Sequence, residues 1–97
     1  MVVNMKREVV SRSIINILNV KQTYDYERFS TSSMYEELIS FGKELYDEDI
    51  YNAYQSVILN NKDIISKISE EKEYTLEELN SFLEQLRQFK RTYILKK

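Results

Sequence analysis

The chain contains no proline, no cysteine and no histidine, and only one glycine in 97 residues. Each absence excludes something. Without proline, nothing breaks a helix from within, and a mostly helical chain is expected. Without cysteine and histidine, the clusters that bind zinc or carry redox chemistry do not exist. The same two absences remove a cysteine nucleophile, a Ser-His-Asp triad and a histidine general base. A single glycine cannot build a phosphate-cradling loop. Long apolar runs are missing too. The longest, Ile14–Ile15–Asn16–Ile17–Leu18, falls far short of the roughly 20 residues that cross a bilayer, so no membrane span is expected. Lys6, Arg7, Glu8 and Arg12 interrupt any secretory pattern at the start of the chain, and no small-residue cleavage site follows. A cytoplasmic location is the resulting expectation, and the lack of cysteine agrees with it.

What is present suits one small domain over residues 1–97, of which 1–5 could lack order. Hydrophobic residues make up 42%, enough to build a core, and the net charge is −2. That charge is unevenly placed. Residues 1–21 carry a net of +3, residues 22–86 a net of −10, and residues 87–97 a net of +5 with no acid among them. An acid-rich body therefore lies between two basic ends.

Apolar spacing predicts the helices. Thr75 with Glu78 reads as a capping box, and Tyr74 with Leu79 as its hydrophobic staple. Leu76, Leu79, Phe82, Leu83, Leu86, Phe89, Tyr93 and Ile94 then recur at three- and four-residue steps, which predicts a helix from about 76 to 95. Ser33 and Glu36 form a second capping box ahead of the stripe Met34, Leu38, Phe41 and Leu45, flanked by Tyr35, Ile39 and Tyr46. This predicts a helix from about 34 to 46. Gly42 inside it would either end the helix early or let another helix pack closely; a mid-helix glycine costs about 1 kcal/mol, but the stripe runs through it unbroken, which favours a continuous helix. Asp47–Glu48–Asp49 suits a helix start, with Ile50, Ala53, Tyr54, Val57 and Ile58 behind it. Asn60–Asn61 marks a turn, with Asp63 capping a short helix that carries Ile64, Ile65 and Ile68; one longer helix over 49–70 fits the pattern nearly as well. Residues 69–74 read as a polar loop. Val10, Ile14, Ile17 and Leu18 suit a helix from about 5 to 20, although Val2–Val3 and Val9–Val10 would also suit strands. Residues 21–32, with Tyr24, Tyr26 and Phe29, read as a surface loop. Single apolar faces on such helices are hidden only by facing inward, so the expected fold is all-α: a small up-and-down helical bundle of four to five helices.

Chemistry-bearing candidates are few. Glu36/Glu37, Asp47/Glu48/Asp49, Glu70/Glu71/Glu73 and Glu77/Glu78 are carboxylate groups of the kind that serve acid–base catalysis or divalent cations. Three of the four groups sit at predicted helix starts, where the dipole accounts for them. No segment matches a helix–loop–helix calcium site. No catalytic, cofactor-binding or metal-binding residue is assigned and no cofactor is expected. Eight tyrosines are many for this length. Tyr46, Tyr51 and Tyr54 beside Asp47, Glu48 and Asp49 form an acidic-aromatic cluster that, if exposed, would suit binding to a basic protein partner. Arg87, Lys90, Arg91, Lys96 and Lys97 form a basic tail that would suit phosphates, although a sequence pI near 5.2 speaks against nucleic-acid binding.

The expected function is that of a non-enzymatic protein-binding module: a small regulator, inhibitor or immunity-type protein of bacterial or phage kind, acting through the acidic-aromatic surface. In size and helix count the organisation resembles in outline the small four-helix bacteriocin immunity proteins; no motif carries that analogy and no residue role follows from it. The alternative is nucleic-acid binding through the basic N- and C-terminal segments, as a dimer. Self-association into a homodimer is a third reading.

Overall fold

The fold follows from where each apolar stripe finds a neighbour. A computed structural model describes residues 2–3, 7–18 and 34–95. They form two short strands and five α-helices. Strand β1 is Val2–Val3 and helix α1 is Arg7–Leu18. Helix α2 is Met34–Leu45, α3 is Glu48–Asn60 and α4 is Lys62–Ser69. Strand β2 is Tyr74–Thr75 and α5 is Leu76–Phe89, which runs on into a π-helical turn over Lys90–Ile94. The expected small all-α bundle is what the chain forms. Ser33, Lys96, Lys97 and the loop over 21–32 lie outside the described residues.

The α5 start is built as its sequence indicates. The Thr75 hydroxyl accepts from the Glu78 N–H at 3.1 Å, and the Glu78 carboxylate accepts from the Thr75 N–H at 3.0 Å. Tyr74 and Leu79, the staple pair, are both buried. The same carboxylate accepts from Lys67 Nζ at 2.8 Å, which ties the last turn of α4 to the first turn of α5. Asn61 decides the question of one helix or two. Its backbone leaves the helical region (φ −116°, ψ 21°), while its side-chain amide donates to the Val57 carbonyl and to Gln85 Oε1 at 2.8 and 2.9 Å. The chain breaks there, and the nearly buried amide bonds across to α5. Asn61 stands at the cap position of α4 and Asp63 lies in its first turn, two positions further in than the cap place that the sequence suggested for it.

Helix α2 packs against α3 and α4, α1 against α5, and α3 against α5. The core collects Val10, Ile14 and Ile15 from α1, Met34, Leu38 and Phe41 from α2, Tyr54 and Ile58 from α3, Ile64, Ile65 and Ile68 from α4, and Leu79 to Phe89 from α5. Gly42 lies inside α2, as the unbroken stripe implied, and lets α3 approach. A Cβ there would fall 2.5 Å from Cδ2 and Cε2 of Tyr54.

Several expectations change. Val2–Val3 is a strand, paired antiparallel with β2 in the register Val2↔Thr75 and Val3↔Tyr74. Its partner is a two-residue segment too short to show alternation, which is why the sequence offered none. Ile15 is buried where Ile17 is only half-buried, because α1 turns a slightly different face to α5. Leu45 (47% exposed), Tyr93 (45%) and Leu76 (38%) continue buried stripes yet lie outside the core, at or near the ends of their helical segments.

Candidate protein interface

Helices α2 and α3 form a tight antiparallel hairpin. Tyr46 and Asp47 make the corner, with Gly42 opposite Tyr51 and Tyr54 on either side of it. The proposed surface residues divide here into two groups. Asp47, Glu48 and Asp49 are exposed, as is Glu44 just before them. Asp47 caps α3, its Oδ1 accepting from the Ile50 N–H at 2.9 Å, and Glu48 and Asp49 stand in the first turn, where the helix dipole favours carboxylates. Neither Glu48 nor Asp49 forms an ion pair among the described residues.

The tyrosines turn inward. Tyr54 is fully buried and its hydroxyl donates to the Leu38 carbonyl at 2.8 Å, so it belongs to the core and presents nothing to a partner. The sequence placed it with the acids because they are neighbours along the chain; on the helix it shares a face with Ile50 and Ile58. Tyr51 is half-buried against Gly42. Tyr46 is also half-buried, and its hydroxyl is enclosed with no hydrogen-bond partner among the described residues. Burial pushes its phenol up to about 12, because the ionised form would lose its water.

Ring contacts join this corner to the far end of α5. Tyr46 lies 5.4 Å from Tyr54 and 5.4 Å, edge-on, from Phe89. Phe89 in turn lies 5.5 Å from Tyr93. The start of α3 therefore sits beside the last turns of α5. Ala53 and Val57 of α3 face Gln85, Gln88, Phe89 and Tyr93 across an open groove of about 400 Å³. Leu95, just past the π turn, is 60% exposed.

The basic candidates are partly engaged. Arg91 and Arg87 both reach the Glu84 carboxylate, at 3.0 and 3.4 Å. The Arg91 hydrogen bond, more than that of Arg87, holds the Glu84 carboxyl below its ordinary value. Lys90 is half-buried and forms no ion pair among the described residues. Sequence reasoning missed Leu45 and Leu95 as surface residues. The available signal was that each stands at the end of its stripe, next to charged residues.

This chain matches no family model, no curated protein and no solved structure. Among the described residues, no group of three or more acidic side chains is placed to hold a metal ion, and no helix is long and apolar enough to cross a membrane.

Proposed function

We propose that the protein is a non-enzymatic protein-binding module, a small regulator, inhibitor or immunity-type protein that acts by contact. Its recognition surface is the α2–α3 corner together with the adjoining end of α5. The observation that supports this most is that two core stripes run out into solvent. Leu45 ends one and Tyr93 the other, each nearly half exposed, and the exposed acids Glu44 and Asp47 stand close to Leu45 along the chain. Apolar side chains held in water and rimmed by charge are a common mark of a docking surface. The partner is a protein that presents apolar residues with bases around them. Phosphate binding draws less support, because Arg87 and Arg91 share one carboxylate that a phosphate would have to displace.

The test is affinity capture from a source lysate with the wild-type chain and with a Glu48→Lys/Asp49→Lys variant, after circular dichroism shows that both are folded. A protein retained by the wild type and lost by the variant supports the reading. Recovery of nucleic acid alone, or retention unchanged by the variant, overturns it.

A further inference from the structure

We infer that the groove between α3 and α5 is a docking site in its own right, and that its occupant is a helix of a partner protein whose facing side chains are uncharged. The inference rests on protein binding, but on a different face from the corner. In a chain that is 31% charged, residues 50–61 contain no Asp, Glu, Lys or Arg, the longest such run in the sequence. That run is nearly all of α3. A surface helix ordinarily carries charge on its outer side. Here Asn52, Ser56, Leu59 and Asn60 are exposed and none is charged. Across the groove, Gln85, Gln88, Thr92 and Tyr93 of α5 are uncharged too. Glu84, Arg87 and Arg91 pair with one another on the flank of α5 turned away from it. The floor, Val57 and Phe89, is apolar. Loss of charge around an apolar centre is the compositional mark of an interface.

The same chemistry selects the occupant. A charge brought into the groove would lose its water and meet no counter-ion among the lining residues. That speaks against a phosphate backbone, an anionic lipid surface and a basic peptide. A purely apolar occupant fits no better. Gln88, Thr92 and Tyr93 make no side-chain hydrogen bond among the described residues, and hydrocarbon laid over them would strand their amide and hydroxyl groups. An extended peptide needs partners for its own backbone at every residue. The groove has few to give, because Gln85 is spent on Asn61 and Ser81, and the Ser56 hydroxyl on the Asn52 carbonyl. A helix arrives with its backbone already bonded and needs only side-chain partners. Asn, Gln, Ser or Thr set among Ala and Leu on its facing side meets both demands. Ala53 and Ser56, small and three positions apart on α3, allow the close approach such a helix requires.

Site-specific photo-cross-linking tests this on the full chain. The photoreactive residue p-benzoylphenylalanine replaces Ser56, which is exposed beside the groove, and the chain is irradiated in a source lysate. The readout is the chemistry of the attached segment, identified by mass spectrometry. A protein segment with helical apolar spacing and no charged side chain on its facing side supports the proposal. Gln88→Glu/Thr92→Glu and Gln88→Lys/Thr92→Lys change exposed positions, and circular dichroism should show both folded. Each should cut the yield at least about tenfold, because a buried charge of either sign is unpaired. Attachment to nucleic acid, to lipid, to a second copy of this chain or to a charged segment overturns the proposal. So does no attachment, or a yield that either folded variant leaves unchanged. Two results separate this site from the corner. If Glu48→Lys/Asp49→Lys loses its captured protein while position 56 attaches nothing, the groove fails and the corner stands. If position 56 attaches an uncharged helix while that variant retains all that the wild type captures, the corner fails and the groove stands.

Discussion

Replacing Gly42 by alanine tests the close approach of α3 to α2. In an exposed helix interior, this change stabilises by about 1 kcal/mol, because glycine is the poorer helix former. Here the added methyl carbon would meet Cδ2 and Cε2 of Tyr54 at 2.5 Å and Cδ1 of Tyr51 at 3.2 Å. Carbon atoms rest at about 3.5–4.0 Å, so the overlap with Tyr54 is about 1 Å. The Tyr54 ring is poorly placed to recoil. It is fully buried, lies against Tyr46 and Phe89 at 5.4 and 5.6 Å, and is anchored through its hydroxyl to the Leu38 carbonyl. Overpacking of this kind costs about 1–3 kcal/mol, and a displaced hydroxyl bond costs about 1 kcal/mol more. Set against the gain in helix propensity, Gly42→Ala destabilises by about 1–3 kcal/mol, which for a domain of this size lowers the melting temperature by about 5–20 °C. Urea denaturation should show a lower midpoint at unchanged slope. A companion variant isolates the cause. In a Tyr54→Leu background the ring is gone, and Gly42→Ala should then be neutral or stabilising, a coupling of at least about 1 kcal/mol. An alanine variant as stable as the wild type would refute the close-approach account of Gly42.

Three further outcomes are expected. Leu83→Asp places a carboxylate at a position only 8% exposed, and should abolish the cooperative thermal transition followed by circular dichroism; a preserved transition would mean that α5 is oriented differently. Tyr46→Phe removes an enclosed hydroxyl that has no partner among the described residues, and should raise the urea midpoint at neutral pH by up to about 1 kcal/mol in stability, where a fall would show that the hydroxyl is bonded. Because the folded Tyr46 value of about 12 lies above the ordinary 10.0, stability in the wild type should drain away as pH rises between the two, and the phenylalanine variant should lose that part of the decline. At acid pH the sign reverses. The Lys67 hydrogen bond first, and the Thr75 N–H second, hold the Glu78 carboxyl below its ordinary value, so its contribution is complete above that value and lost as pH falls through the lowered one. Glu78→Gln should make the melting temperature less sensitive to acid there, with the remaining slope left to groups such as Glu84.

The parts of the fold legible in sequence were those set within a few residues. The Thr75/Glu78 box needs only a hydroxyl and a carboxylate three positions apart, and it formed. The carboxylates of Asp47, Glu48 and Asp49 likewise announced a helix start. The break at Asn61 stayed open because the apolar stripes on either side continue at compatible spacing; what settles it is a side-chain bond to Gln85, far along the chain. Periodicity reports which way a residue faces but not how far the core extends, so Leu45 and Tyr93 read as core and emerged at the rim. The pairing of β1 with β2 is a long-range contact between two dipeptides, with no local pattern to reveal it. The π turn is hidden for a similar reason, since one extra residue in a turn hardly disturbs the apolar spacing through Ile94. The candidate site was half legible. Asp47, Glu48 and Asp49 do stand together, exposed at one helix start, whereas Tyr54 adjoins them along the chain but shares its helical face with Ile58.

The seam formed by β1 on β2 and α1 on α5 also bears on how the chain is born. While the ribosome is still at work, α2, α3 and α4 can collapse on one another through nearby contacts. The opening helix has no comparable shelter, since its main partner, α5, is synthesised later. Val10, Ile14 and Ile15 must wait in water until that segment emerges. Closing of the seam is therefore the late event in assembly, and the nascent chain is most open to proteases and to mispairing just before it.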